Sequence, residues 1–267
     1  MCRLHLEESR IGGFRFLVMS TFRFVMQRSL KKLARVMGVE IRHAFQNPTI
    51  TSAEIYSLWF RPNKVTCIFD VGANVGQSAR AFAKAFTRST VHSFEPFPAA
   101  YRRLEQLAKS SGGRIRAYQL ACGESEGHMD IAVDRVSASQ LNRLCFDGNI
   151  PPPLNKQNMR IQISTIDAIC GRQRIETIDI LKTDTEGYDA KVLAGASRML
   201  SEGRVRCVIS EVGFLDDPRH TEFGKVFLLL HESGFEMAGF YETSYLRNSR
   251  CDFANALFIR RNSGLRF

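Results

Sequence analysis

The sequence predicts an α/β fold: a single, mostly parallel sheet covered by helices on both faces. Short apolar, β-branched runs alternate with stretches of helical period from residue 65 to residue 240, the order that builds βαβ units. Acids and glycines recur where the runs end, at Asp70, Glu95, Glu124, Asp184, Glu186 and Glu211. In sheets of this kind ligands bind outside the carboxyl ends of the strands.

Ahead of the sheet, residues 14–39 read as one or two amphipathic helices rich in Phe, Met, Leu, Arg and Lys. They either pack over the core with their cations solvated, or lie on an anionic membrane or cover a substrate site. Asn47-Pro48 marks a break, and residues 50–62, with Tyr56, Trp59 and Phe60, form a short helix ended by Pro62. Residues 1–60 are thus expected to be a basic helical extension and 61–267 the main domain.

The first strand is expected over 65–70, followed by a turn bounded by Gly72 and Gly76. The period then changes at once. Ala79, Phe82, Ala83 and Phe86 fall at i, i+3, i+4 and i+7, the buried stripe of a helix over 77–87. Strand 90–95 ends in Glu95; Pro96 and Pro98 open a helix over 98–110 with Tyr101, Leu104, Leu107 and Ala108 on one face. Gly112-Gly113 closes it, and strand 115–121 leads to the polar turn Ala121-Cys-Gly-Glu-Ser-Glu-Gly127 and a short alternating run over 128–133. Residues 134–158, with Pro151-Pro-Pro153, read as a long irregular loop over the site. Then come helix 165–170, strand 178–184, and helix 188–201 burying Val192, Leu193, Ala196 and Leu200. Strand 205–211, the loop Asp216-Asp-Pro-Arg-His220, helix 221–233 and strands 235–240 and 253–260 complete the chain.

At 267 residues the chain has room for one sizeable core. Its net charge of +10 is unevenly spread: residues 1–42 carry nine Lys or Arg against three Glu, and the rest carries 28 basic against 24 acidic side chains. A near-neutral body argues against nucleic acid, while a basic arm suits an anionic surface and peripheral membrane contact. The seven cysteines are scattered without a Cys-x-x-Cys pair. That fits a reducing, cytoplasmic setting and neither a zinc site nor a disulfide framework. No run approaches the ~18 apolar residues of a membrane span. The apolar segment at 14–26 is broken by Arg15 and Arg23 and lacks the cleavage site of a signal peptide.

Strand, glycine turn and helix at 65–87 form either a tight βα turn or a place where backbone N–H groups meet an anionic ligand. The Gly-x-x-x-Gly spacing is not that of dinucleotide folds. Glu95, 25 positions after Asp70, is placed to accept hydrogen bonds from ribose hydroxyls. A ribose, a flat base and an anionic group, with no Walker lysine motif, fit S-adenosylmethionine. Its carboxylate would take the Gly72–Gly76 amides, and nearby acids would suit its positive charges.

Three motifs in this order carry a resemblance to a family. Phe69-Asp-Val-Gly-Ala-Asn-Val-Gly76, Phe94-Glu-Pro96, and Leu181-Lys-Thr-Asp-Thr-Glu-Gly187 with Val192-Leu-Ala-Gly195 resemble the FkbM methyltransferases over roughly residues 65–212. The resemblance implies a class I methyltransferase (Rossmann-like) three-layer sandwich, with a seven-stranded sheet whose last strand is antiparallel. It also implies S-adenosylmethionine-dependent methylation of hydroxyls on sugars, glycolipids or polyketide-type acceptors. Its cofactor positions fall on Asp70, Gly72, Asn74, Gly76 and Glu95, with adenine near Ala121 to Glu124, and its Lys-x-Asp-x-Glu-Gly motif on Lys182, Asp184, Glu186 and Gly187. One departure is Tyr188-Asp189, where members commonly have a small residue and Glu.

Methyl transfer to an alcohol needs an aligned oxygen and a group to take its proton. Asp184 and Glu186 are the candidates, with Glu211 or His220 assisting; the alternative is that they orient substrate or cap a helix. Clustered carboxylates also raise the possibility of Mg²⁺. Two rival functions remain, a nucleic-acid methyltransferase and a non-catalytic cofactor-binding module. The balanced body and the missing Asn-Pro-Pro-Tyr-type motif disfavour the first, and the intact acids and glycines disfavour the second.

Overall fold

The computed structural model describes residue 60 and residues 64–134, 156–246 and 249–261. The expected helices at 14–39 and 50–62, the basic extension as a whole apart from Phe60, and loop residues 135–155 lie outside the described residues.

The first βα unit follows its sequence pattern closely. Strand β1 (Cys67–Val71) buries Ile68, Phe69, Asp70 and Val71, as a central parallel strand covered on both faces must. Gly76, at φ 92°, caps helix α1 (Gln77–Ala85), whose Ala79, Phe82 and Ala83 are buried. A side chain there would collide with the next helix, since a Cβ would lie 2.5 Å from Leu107 Cδ2. Strand β2 (Thr90–Phe94) and helix α2 (Pro98–Lys109), with Pro98 in its first turn, repeat the unit.

Past α2 the chain departs from the sequence pattern. The single strand expected over 115–121 is two: β3 (Ile115–Tyr118) pairs with β2 at the sheet edge, whereas β4 (Ala121–Cys122) leaves to pair with a later strand. That partner begins at the end of the stretch read as loop and runs through residues 159–164, for which no element was expected. Strands β5 (Gly127–Asp134) and β6 (Lys156–Ser164) pair antiparallel, and β4 joins β6 to complete a small three-stranded sheet. The alternation Met159-x-Ile161-x-Ile163 carried the strand signal, with Ile161 and Ile163 both buried.

Helix α3 (Ile166–Gln173) opens on Thr165, whose hydroxyl oxygen accepts from the Ala168 amide at 3.0 Å. After β7 (Ile180–Thr183), the one helix expected over 188–201 is broken into α4 (Asp189–Ala194) and α5 (Ser197–Ser201). The break has a tertiary cause. Asp167, on α3, accepts from the amides of Arg198 and Met199 at 2.9 and 3.0 Å, so it caps α5 from another element. Strand β8 (Cys207–Gly213) runs two residues past Glu211; helix α6 (Phe223–Glu232) and strands β9 (Phe235–Tyr241) and β10 (Phe253–Arg260) follow.

The seven-stranded sheet has the order β3-β2-β1-β7-β8-β10-β9. All strand pairs are parallel except the two made by β10, which lies antiparallel between β8 and β9. Alternate residues feed two cores. Phe69, Leu181 and Val208 pack with α3–α6 on one face; Ile68, Ile180 and Ile209 pack with α1 and α2 on the other. The result is the expected three-layer sandwich. The order turns outward in both directions from β1 and β7, which makes their carboxyl ends the switch point where ligands sit.

Candidate active site

The site begins where β1 and β7 end side by side. Gly72, at φ 79°, brings the β1 loop so close to β7 that a Cβ would lie 1.8 Å from the Asp184 carbonyl oxygen. Only glycine meets both conditions. The loop's amides are used inside the chain: Gly72 and Ala73 donate to the Phe94 carbonyl, Gly76 to that of Ala73, and Asn74 to Glu95 Oε2 at 2.9 Å. The amides of residues 72, 73, 74 and 76 thus have partners within the chain, where the sequence pointed to a cradle for an anionic group.

Glu95 is the fastening of this region. Its second oxygen accepts from the Phe97 amide at 2.8 Å, so one carboxylate ties the first and second βα turns together. Burial pushes the carboxyl up to about 7 against the favourable pull of the Phe97 and Asn74 amides. A carboxylate has about four acceptor sites, so two remain for a ligand.

Asp70 is fully buried, and neither of its oxygens has a hydrogen-bond partner. Burial pushes its carboxyl up to about 6; Lys182 and the Ala79 amide pull the other way, and Asp184 adds to the rise. Lys182 stands opposite Asp70 in the β1–β7 register, 3.9 Å from its Oδ1 and 2.9 Å from Asp184 Oδ2. Burial opposes the ammonium, but the two aspartates outweigh it and hold Lys182 above the usual lysine range.

The turn after β7 carries the remaining acids. Glu186 and Gly187 both have positive φ, 53° and 93°, and a Cβ on Gly187 would lie 2.5 Å from the Pro218 carbonyl oxygen. A glutamate in the left-handed region is uncommon and costs backbone strain. Asp189 and Thr221 hold the turn in place. Asp189 accepts from the Thr185 amide at 3.2 Å and from the Thr221 hydroxyl at 3.2 Å, and its own amide donates to Thr221 Oγ1 at 3.1 Å. Burial, with Asp184 and Glu211 nearby, pushes Asp189 up to about 7.

Glu186 is raised by burial first, then by the charges of Glu211 and Asp184. Glu211 in turn contacts His220 Nδ1 at 3.1 Å, and that hydrogen bond raises the imidazole against the effect of its burial. The ring stacks on Phe253 with centroids 4.5 Å apart. Among the described residues no three His, Cys, Asp or Glu side chains are grouped to hold a metal ion, so the Mg²⁺ alternative gains no support from the arrangement.

A pocket of about 500 Å³, its open mouth included, is lined by some of these residues, while Asp70, Lys182, Asp189, Glu211 and His220 lie outside its lining. Gly72, Glu95, Asp184, Thr185 and Glu186 line its polar side; Phe97, Leu120, Cys122, Ile161, Ile163 and Tyr188 are among those lining its apolar end. Ala121 is in the lining, whereas Glu124 is exposed and 3.7 Å from Lys191, outside it. Asn74 and Gly76 shape the loop behind the pocket. Thr185, Tyr188, Asp189 and Thr221 were not assigned site roles from sequence. Thr185 Oγ1 is buried without a partner, like the oxygens of Asp70. A Thr beside Asp and Glu at a strand end was the available signal.

No described helix is long and apolar enough to cross a membrane. The Methyltransferase FkbM domain matches residues 70–237. The chain is 26% identical over 162 residues to the 2-O-methyltransferase NoeI of Sinorhizobium fredii, a match covering 57% of this chain and 65% of NoeI. It is 24% identical over 152 residues to the hexuronic acid methyltransferase AglP of Haloferax volcanii, covering 57% of this chain and 58% of AglP. The chain thus spans somewhat less than two thirds of these relatives. The crystal structure of the methyltransferase FkbM from Methylobacillus flagellatus KT matches with a TM-score of 0.51 and 16% identity, over 80% of this chain and 48% of that one; this likeness is one of fold. With the domain match running from Asp70, near the end of β1, to the first residues of β9, the chain belongs to the FkbM methyltransferase domain family.

Proposed function

We propose that the chain is an S-adenosylmethionine-dependent O-methyltransferase acting on a hydroxyl of a sugar-type acceptor, free or carried on a lipid or polyketide. The observation that carries the reading is the placement of Glu95, a buried carboxylate lining the pocket beside Gly72 and Asp184 with acceptor sites to spare. Asp70 and Thr185, with buried oxygens lacking partners, fit a cationic and polar ligand, and the apolar end fits a flat base. The sugar class is supported by the relatives named 2-O-methyltransferase and hexuronic acid methyltransferase.

When bound, the cofactor supplies a methyl carbon activated by a sulfonium leaving group. The chain's own task is to hold the acceptor oxygen in line and take its proton. Asp184, tied to Lys182 at 2.9 Å, is suited to orienting the acceptor. Glu186, with its raised carboxyl, and the Glu211–His220 pair are suited to holding the proton. The basic first 42 residues would serve the same function by keeping the enzyme at an anionic membrane where a lipid-linked sugar lies.

The test is transfer of labelled methyl from S-adenosylmethionine to glucuronic acid, methyl glycosides and lipid-linked sugars. Glu186→Gln and Glu211→Gln should each lower kcat by about 10²- to 10⁴-fold, the range of general acid–base catalysis, with cofactor binding intact. Equal turnover by wild type and both variants would remove these carboxylates from the proton path.

A further inference from the structure

The apolar end of the pocket is closed by three elements that meet at one residue. Gly123, just past β4, faces Ile163 of β6 and Tyr188 at the start of α4: a Cβ there would lie 3.0 Å from Ile163 Cγ2 and 3.1 Å from Tyr188 Cε1. Behind it the chain is equally tight, because a Cβ on Gly195 would lie 1.9 Å from the Gly123 carbonyl oxygen. The Gly123 amide is also fixed, donating to the Ser164 carbonyl at 3.0 Å. Gly123 thus has little room to yield, and the bulk on the pocket side belongs to Tyr188, itself 7% exposed. Lys191 Nζ stands 4.8 Å over the Tyr188 ring and backs it from outside the pocket.

A purine is joined to its ribose through the five-membered ring. With the ribose held at Glu95, the base is left the apolar part of the lining, which includes Leu120, Cys122, Ile161, Ile163 and Tyr188. No charged side chain lines that end, and Glu124 points its carboxylate at Lys191 instead. Base selection there is a matter of shape.

We propose that Tyr188 sets the size limit of the base end, admitting unsubstituted adenine and excluding purines enlarged at the exocyclic amine; this rests on the S-adenosylmethionine reading above. A ring forced into a packed wall is disfavoured as an overpacked core is, by roughly 10- to 100-fold in affinity.

The test is calorimetric titration of the full chain with S-adenosylhomocysteine and with its N6-benzyl derivative, on wild type, Tyr188→Ala, Tyr188→Leu and Tyr188→Phe. Wild type and Tyr188→Phe should bind the parent compound and bind the benzyl derivative at least roughly tenfold more weakly. Tyr188→Ala or Tyr188→Leu, shown to be folded by a cooperative thermal unfolding transition, should bring the ratio of the two affinities to near one, whatever the change in binding of the parent. Equal binding of both ligands by wild type would overturn the proposal and leave the cofactor reading standing, as would discrimination that survives in the folded small-residue variants. If wild type binds neither ligand, the cofactor reading fails and the proposal fails with it.

Discussion

Two buried aspartates on neighbouring strands, one at each end of the sheet, have opposite surroundings. Asp179, just before β7, accepts from the Thr66 amide at 2.7 Å, the Thr66 hydroxyl at 3.0 Å and the Cys67 amide at 3.0 Å, and pairs with Arg206 at 3.0 Å. Asp70, near the end of β1, has no oxygen within hydrogen-bond geometry of a partner; Lys182 stands 3.9 Å away and the Ala79 amide adds a pull. Both are nearly or fully inaccessible. A buried carboxylate satisfied on every side ties strands together; one left open costs stability and is retained where a ligand or a reaction needs it. The amino end of the sheet is built for the fold and the carboxyl end for chemistry.

Breaking each aspartate should separate the two roles. Asp179→Ala strands two amides and a partly buried guanidinium, and should cost about 3 kcal/mol of unfolding free energy in urea, within the range for breaking a buried pair. Its affinity for S-adenosylmethionine should be unchanged where the protein is folded. A loss below about 1 kcal/mol would make the end-to-end contrast untenable.

The open end should also show in the pH dependence of stability. Asp70, Glu95 and Asp189 are pushed up to about 6, 7 and 7, and His220 is raised. Each binds more protons in the folded chain than in the unfolded one, so stability falls as pH rises through the interval between the two values. The melting temperature of the ligand-free chain should drop between about pH 4.5 and about pH 7, and Glu95→Gln should flatten the slope. A melting temperature that climbs over that window would contradict these environments.

Asp70→Asn should have the smallest effect on the fold. It removes a buried charge without hydrogen bonds while Lys182 keeps Asp184, so unfolding free energy should change by less than about 1 kcal/mol. Cofactor affinity should nonetheless fall. A large loss of stability with unchanged binding would reverse the roles assigned to the two aspartates.

Local patterns made most of this legible in sequence. Asp70, Gly72 and Glu95 stand out because strand, turn and helix change period within a few residues, and the apolar runs gave all seven strands of the main sheet, with shifts at their ends. What stayed hidden depends on partners far along the chain. Strand β6 gains its identity from β4 and β5, and its signal was masked by the neighbouring Pro151-Pro-Pro153. The division of α4 from α5 depends on a carboxylate 31 residues earlier, Asp167. Glu124 resembled a site acid by position, but its turn faces Lys191 on α4. Asp189 read only as a departure in a motif, and Thr221, its partner, comes from a separate loop. The loop amides at 72–76 looked free because sequence does not show that Phe94 and Glu95 accept them.

In the proposed function, Glu95 and the carboxyl end of β1 hold S-adenosylmethionine. The most direct measurement is calorimetric titration of wild type, Glu95→Gln and Glu124→Gln with that cofactor. Wild type and Glu124→Gln should bind alike, and Glu95→Gln should bind more weakly by about 1.5–3 kcal/mol, the worth of hydrogen bonds to a charged group. Absence of binding to folded wild type, or binding indifferent to Glu95, would contradict the account.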